Sequence, residues 1–204
     1  KSNSLVLEND LVRYDFAADG RILKFHDKAE NMIFASENGI GNMLRLMVDI
    51  PNGEEAWNLE HFHTNGKNET PKSVKKAVNM SGPVQSHIEF TLKIGKSEIS
   101  QKAILPADSK MLVFETGIEW REKRRILRVG FNTPASSTES AFDIQYAFIK
   151  RPTYKNTSWD HARFEVAGQR YADISDHSYG AALINDSKYG HAVKENMIDL
   201  ALLR

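Results

Sequence analysis

At 204 residues, with 41% hydrophobic and 26% charged side chains, the chain is long enough to bury a core and has the make-up of a soluble globular domain. No apolar run approaches the roughly 18 residues of a membrane helix, and 27 Lys plus Arg against 27 Asp plus Glu leaves no basic footprint for nucleic acid. A membrane or nucleic-acid partner is therefore not expected, and a small or neutral partner such as a sugar fits better; with no cysteine, disulfides and thiolate metal sites are excluded and the compartment leans cytoplasmic.

The opening segment has a β rhythm, with apolar runs at Leu5–Leu7, Leu11–Phe16 and Ile22–Phe25. Asp19-Gly20 between the last two predicts a hairpin. Residues 38–66 mix a strand-like Met43–Ile50 with polar loops carrying Trp57 and Phe62, and polar Asn65–Lys72 is too short to be a domain linker. From Val74 to Leu112 three alternating runs are separated by Ser81-Gly82-Pro83 and Gly95-Lys96, which is turn chemistry. Within them Ile88, Phe90, Leu92 and Ile94 share one face at period two, predicting a half-buried antiparallel strand with His87, Glu89, Thr91 and Lys93 on the other face. Met111–Trp120 and Ile126–Phe131 continue the meander around a charged turn, Arg121–Arg125, whose cations are the solvated tip of a hairpin.

Further strands are expected at Phe142–Ile149, Arg163–Val166, Tyr179–Ile184 and Met197–Leu203. About ten strands with no long amphipathic helix predict an all-β, antiparallel sandwich forming one domain over residues 1–204. The chain starts at Lys1 without an initiator methionine and stops at Arg204 within an apolar run, so it reads as a piece of something longer. Sequons at Asn68, Asn79 and Asn156 are too short a pattern to carry weight.

Three clusters are candidates for chemistry. Arg151–Glu165 is irregular, polar and aromatic, and irregular connections in compact domains carry function. In it Trp159 offers a flat face for a pyranose, with Asp160 and Arg163 as hydrogen-bonding groups; equally, Trp159 can anchor the loop while Asp160 and Arg163 form an i,i+3 ion pair. In Asn185–Gly190, Asn185, Asp186 and Lys188 at a strand end can converge on a ligand or simply form a turn. On a strand, His61 and His63 would share a face and two metal ligands, but no third ligand is identifiable, so no metal site is assigned. No carboxylate pair, nucleophile elbow or phosphate-cradling loop stands out, and no catalytic residue is assigned.

At these same clusters the sequence resembles the α-mannosidases of glycoside hydrolase family 38, in their bacterial and cytosolic-type branch. The opening LENDLVRYDFAADGRILKFHDK looks like the start of that family's C-terminal β region, and Ile94–Ser97, Ile99–Gln101, Phe114–Thr116 and Trp120 fall on matching positions. The most specific blocks are R-P-T-H-x-N-T-S-W-D-x-A-R-F-E, matched by Arg151–Glu165 with Tyr154 for the histidine, and L-L-N-D-C-K-Y-G, matched by Leu183–Gly190 with Ile184 and Ser187 for leucine and cysteine.

The resemblance implies a galactose-mutarotase-like supersandwich behind a catalytic domain and a helical bundle. It implies a retaining mechanism whose aspartate nucleophile and zinc lie upstream, none of them on this chain, so that the piece alone is inactive. The family's β region runs on past L-L-R-S-P, of which Leu202-Leu203-Arg204 is present, so last strands are expected to be missing too. The expected partners are a mannose-containing oligosaccharide and the protein's own catalytic domain, with homo-oligomerisation left open. The implied role is to complete the rim of the active-site cleft. A free-standing carbohydrate-binding module is the rival, yet Trp57, Trp120 and Trp159 lie in different local contexts rather than on one platform. An adhesive sandwich without a ligand is the third reading.

Overall fold

The structure, a computed structural model, describes residues 5–54, 57–60 and 66–204. His61, Phe62 and His63 fall outside the described residues. Among those described there are eighteen strands and a helical turn at Ser158–Ala162, arranged as two compact units, one from residues 1–43 and 69–123 and the other from 44–68 and 124–204.

In the first unit β1 (Leu5–Glu8), β2 (Val12–Phe16), β3 (Ile22–Asp27) and β4 (Met32–Ala35) form an antiparallel meander. The β2–β3 turn is the expected one: Gly20 has φ +85°, a conformation a side chain would oppose, and Ala17 and Arg21 close the hairpin. β5 (Met43–Val48) leads to the second unit. The second sheet of the first unit holds β6 (Lys72–Ser73), β7 (Val78–Ser81), β8 (Gln85–Ile94), β9 (Ser97–Pro106) and β10 (Val113–Glu119), with β6 and β7 both paired to β8.

The period-two pattern of β8 is realised: Ile88, Phe90, Leu92 and Ile94 are buried, while Glu89 and Lys93 are exposed. Phe90 meets Phe16 of the other sheet with ring centres 5.9 Å apart. Beside them the buried amides of Asn42 and Gln101 pair: Asn42 Nδ2 donates to Gln101 Oε1 (2.6 Å) and to the Gly20 carbonyl (2.8 Å), and Gln101 Nε2 donates back to Asn42 Oδ1. Satisfying both amides removes the cost of burying them.

The second unit also has two sheets. One runs in the order β14 (Val166–Ala167), β17 (Gly190–Lys194), β18 (Met197–Leu203), β11 (Arg125–Asn132), β5; the other is β13 (Ala147–Pro152), β12 (Glu139–Ile144), β15 (Tyr171–Ser175), β16 (Gly180–Ile184). Phe142, Ala172 and Ile174 from the second sheet share a buried cluster with Val193 and Ile198 from the first, so the two sheets pack through this core.

One expected hairpin and two expected strands are corrected. Residues 121–125 are not a hairpin tip, because β10 pairs with β9 and β11 with β18, in different sheets. Residues 142–149 do not form one strand: the chain reverses at Gln145-Tyr146, with Tyr146 at φ +60°, and β12 pairs with β13. The expected strand over residues 163–166 is reduced to two-residue β14, because the residues before it belong to the loop following the helical turn. The alternating pattern supplied apolar residues at both places but carried no signal for a reversal without glycine.

Candidate functional site

Irregular residues 153–165 begin where β13 ends. Thr157 caps the helical turn, accepting from the Asp160 backbone N–H, while the Asp160 carboxylate accepts from the Thr157 N–H (3.1 Å) and hydroxyl (2.7 Å). The sequence signal of this reciprocal capping box is T-x-x-D at residues 157–160, a pattern that marks a helix start. Those bonds hold the Asp160 carboxyl below the usual carboxylate range. The Asp160 side chain is therefore engaged in the cap. Trp159, next to it, is 78% exposed and projects away from the core.

The second block serves as a turn. Asn185 Oδ1 accepts from the Ser187 and Lys188 N–H groups (3.2 and 2.6 Å), and Nδ2 donates to the Gln169 carbonyl. Asp186 is exposed and Lys188 half-buried, and neither lines the pocket described below.

What brings the two blocks together is the short ladder between β14 and β17, which pairs Val166 with His191 and Ala167 with Gly190. At that junction lies a charge cluster that the sequence reading missed. Arg128, 1% exposed in the middle of β11, is bonded by Glu165 and donates from Nε to Asp199 Oδ2 (3.1 Å), and Arg45 Nη2 lies 2.7 Å from the same oxygen. Burial disfavours the Arg128 charge, and the Asp199 and Glu165 charges outweigh it, leaving its pKa raised. The available signal was a cation inside Ile126–Phe131, an otherwise apolar strand.

A pocket of about 40 Å³ opens beside this cluster, with Phe142 as its floor and Arg151, Lys155, Asp160, Arg163 and His191 around it. The Arg151 guanidinium sits 4.6 Å from the centre of the Phe142 ring, a cation–π placement. Lys155 donates to the Arg163 carbonyl (3.0 Å). His191 is fully buried, 3.3 Å from the Tyr189 carbonyl through Nδ1 and 3.4 Å from Asn185 Nδ2 through Nε2. Both contacts are satisfied by the neutral ring with its proton on Nδ1, and burial pushes the imidazole pKa down. Gly168 must lack a side chain here, since a Cβ would lie 2.9 Å from His191 Nδ1.

Of the six residues singled out in the sequence, Asp160 and Arg163 reach the pocket, Asn185 touches it through His191, and Trp159, Asp186 and Lys188 do not line it. A volume of this size admits two or three waters or one small polar group, not a pyranose ring. Among the described residues no group of three or more His, Cys, Asp or Glu could hold a metal ion, so no metal chemistry is assigned to them. None of their helices is long and apolar enough to cross a membrane.

A profile of the glycosyl hydrolases family 38 C-terminal domain matches residues 7–204. Alpha-mannosidase 2C1 of Homo sapiens is 34% identical, covering 98% of this chain and 20% of that protein, and alpha-mannosidase G of Dictyostelium discoideum is 34% identical, covering 100% and 19%. The chain thus spans about a fifth of the length of these curated relatives. The crystal structure of an alpha-mannosidase from Enterococcus faecalis V583 superimposes on all of the chain and on 26% of its own, with a TM-score of 0.82 at 17% identity.

Proposed function

The chain belongs to the glycosyl hydrolases family 38 C-terminal domain family, and on that premise we propose that it is the C-terminal β region of a retaining α-mannosidase acting on terminal α-mannosides. In this reading it holds the catalytic domain and completes the rim of the substrate cleft, and the nucleophile and the zinc reside on that other domain. The observation that carries the reading is the convergence of residues 151–165 and 183–190 on one edge of the second unit through the β14–β17 ladder. Those are the blocks in which the family resemblance is most specific. Trp159 and the exposed end of Arg163 are left free of the core there, on the surface that a mannose-containing oligosaccharide or the catalytic domain would meet.

The sheets of each unit belong, on the same reading, to the galactose-mutarotase-like supersandwich expected from the sequence. The enzyme would work in the cytoplasm, in keeping with a chain free of cysteine. The test is hydrolysis of an aryl α-mannoside, with the anomer released followed by proton NMR. The full-length parent protein should release α-mannose first, and the 204-residue chain should not exceed a mock-purified blank. Turnover by the chain alone, or a parent protein inert toward α-mannosides, would overturn the proposal.

A further inference from the structure

The pocket floored by Phe142 is cationic in a way that the surrounding protein does not balance. Three cations, Arg151, Lys155 and Arg163, line it against one carboxylate, Asp160. That carboxylate already accepts from the Thr157 N–H and hydroxyl. The other nearby carboxylate, Glu165, is bonded to Arg128. Arg151 Nη1 is closed off from solvent and has no hydrogen-bond acceptor among the described residues, its guanidinium lying over the Phe142 ring, and Arg151 is one of the residues that line the pocket. A buried guanidinium N–H without an acceptor costs free energy that a satisfied one does not, and such groups call for an explanation.

From this geometry we infer that the pocket is a binding site for a single oxyanion, a carboxylate or a phosphate group, held by the Arg151 guanidinium with Lys155 and Arg163 beside it. The anion supplies the counter-charge that the three lining cations lack against a single carboxylate, and a turn of the Arg151 guanidinium toward it gives the buried Nη1 an acceptor; such charge-assisted bonds are the strong ones. The volume of about 40 Å³ suits one such group. Electrostatics point the same way. Burial, and then the Arg163 charge, push the Arg151 pKa down; burial, and then Lys194, do so for Lys155, with Asp160 offsetting only part. His191 contributes no charge while neutral, which leaves room for its response: an anion arriving beside it favours the imidazolium against the burial and the Arg128 and Arg151 charges that now oppose it. The inference is independent of the α-mannosidase reading, whose substrate is uncharged.

The experiment titrates inorganic phosphate and, separately, acetate into the 204-residue chain at constant ionic strength, following the His191 imidazole and Arg151 Nε–H resonances by NMR. Saturable shifts of both, with His191 moving toward its protonated form, are expected. Arg151→Gln should weaken binding at least about tenfold, and so should Lys155→Gln, which serves if the first variant does not fold. Lys150→Gln, on the exposed neighbouring position, should leave binding unchanged. No saturation, or equal binding by both pocket variants, would overturn the site.

The source of the anion follows from repeating the titration on the full-length parent. A response there identifies a free anion or an acidic group on a ligand. Silence there, with Arg151→Gln lowering the melting temperature of the parent but not of the 204-residue chain, identifies an Asp or Glu from the remaining polypeptide as the occupant.

Discussion

The Glu165 carboxylate occupies the space in which a side chain at Gly190 would begin: a Cβ built there would lie 2.3 Å from Glu165 Oε1 and 2.4 Å from its Cδ. Two residues separated in the chain by β14, β15 and β16 are thereby fitted to each other, and the fit presents Glu165 to buried Arg128. Gly190→Ala should push the carboxylate away and weaken that bond, costing about 1 to 3 kcal/mol in urea unfolding. In a Glu165→Ala background the same alanine should add little, because the atoms it displaces are gone. Additive costs in the double variant would show that the two residues do not compete for this space.

Phe90 is 2% exposed and faces Phe16 between the sheets of the first unit. Phe90→Ala should destabilise the chain by about 3 to 5 kcal/mol. A loss below about 1 kcal/mol by denaturant unfolding would mean that the surrounding core collapses into the space.

Much of the first unit was legible because its strands obey one local rule. β8 and β9 are ten-residue strands; β8 alternates apolar and polar positions from Ile88 to Ile94, β9 alternates buried and more open positions from Ser97 to Ala103, and Gly95 with φ +54° turns one into the other. The second unit was harder for physical reasons. β11 is buried on both faces from Ile126 to Gly130, so alternation is absent, and β15 and β17, YADIS and GHAVK, are five-residue strands with only two buried positions each, one of them a small or polar residue, so their period-two pattern is too short to stand out.

The site was legible as a place rather than as a mechanism. Irregular polar blocks located the loop and the turn, but pairing across a sheet joins Glu165 to Arg128 and His191 to Gly168, and those contacts depend on register. The i,i+3 ion pair considered for Asp160 and Arg163 gives way to the capping box because the Thr157 backbone N–H and hydroxyl are nearer partners for the carboxylate.

Asp27 makes acid stability a test of the first unit. Burial pushes its carboxyl pKa up, but Lys110 Nζ at 2.7 Å and the Glu30 and Ala29 N–H groups outweigh that, so the folded value lies below the ordinary one. The unfolded chain then takes up the proton first as pH falls. The contribution is present in full above the unfolded carboxylate value of about 4 and is lost as pH drops through the folded value. Asp27→Asn should be destabilised at neutral pH, and its unfolding free energy should fall less steeply than the wild type's below about pH 4. Parallel curves for the two proteins would remove Asp27 from the account.

His191 should behave oppositely to an exposed histidine. Its folded pKa lies below the ordinary value of about 6.5, first because of burial and then through the Arg128 and Arg151 charges, with the Tyr189 carbonyl and Glu165 opposing. Stability should therefore be full above about pH 6.5 and decline as pH falls toward the folded value, the unfolded chain binding the proton more readily. NMR titration of the imidazole checks it; an apparent pKa at or above the ordinary value would contradict the neutral, buried ring.

Trp159 and Asp160 are adjacent but tied to the fold in different degrees, and that difference separates a cleft role from a scaffold role. Trp159 is 78% exposed, so Trp159→Ala should leave the melting temperature of the 204-residue chain nearly unchanged. Asp160 closes the cap with Thr157. Asp160→Ala should therefore loosen the helical turn, and Asp160→Asn, which keeps one acceptor oxygen, should loosen it less. In the full-length enzyme, a Trp159 that packs on the sugar predicts that Trp159→Ala lowers kcat/KM for an α-mannoside at least about tenfold, roughly 1.4 kcal/mol of transition-state stabilisation, with the melting temperature held. A Trp159 that packs against the catalytic domain predicts the reverse, a lower melting temperature of the full-length protein with near-normal kinetics below it, since apolar area removed from an interface costs stability rather than turnover. Asp160→Asn supplies the control: if it lowers kcat/KM as much as Trp159→Ala does, without moving the melting temperature, the carboxylate serves the cleft as well as the cap. An effect confined to melting temperature in both variants would assign the whole of residues 157–163 to holding the domains together.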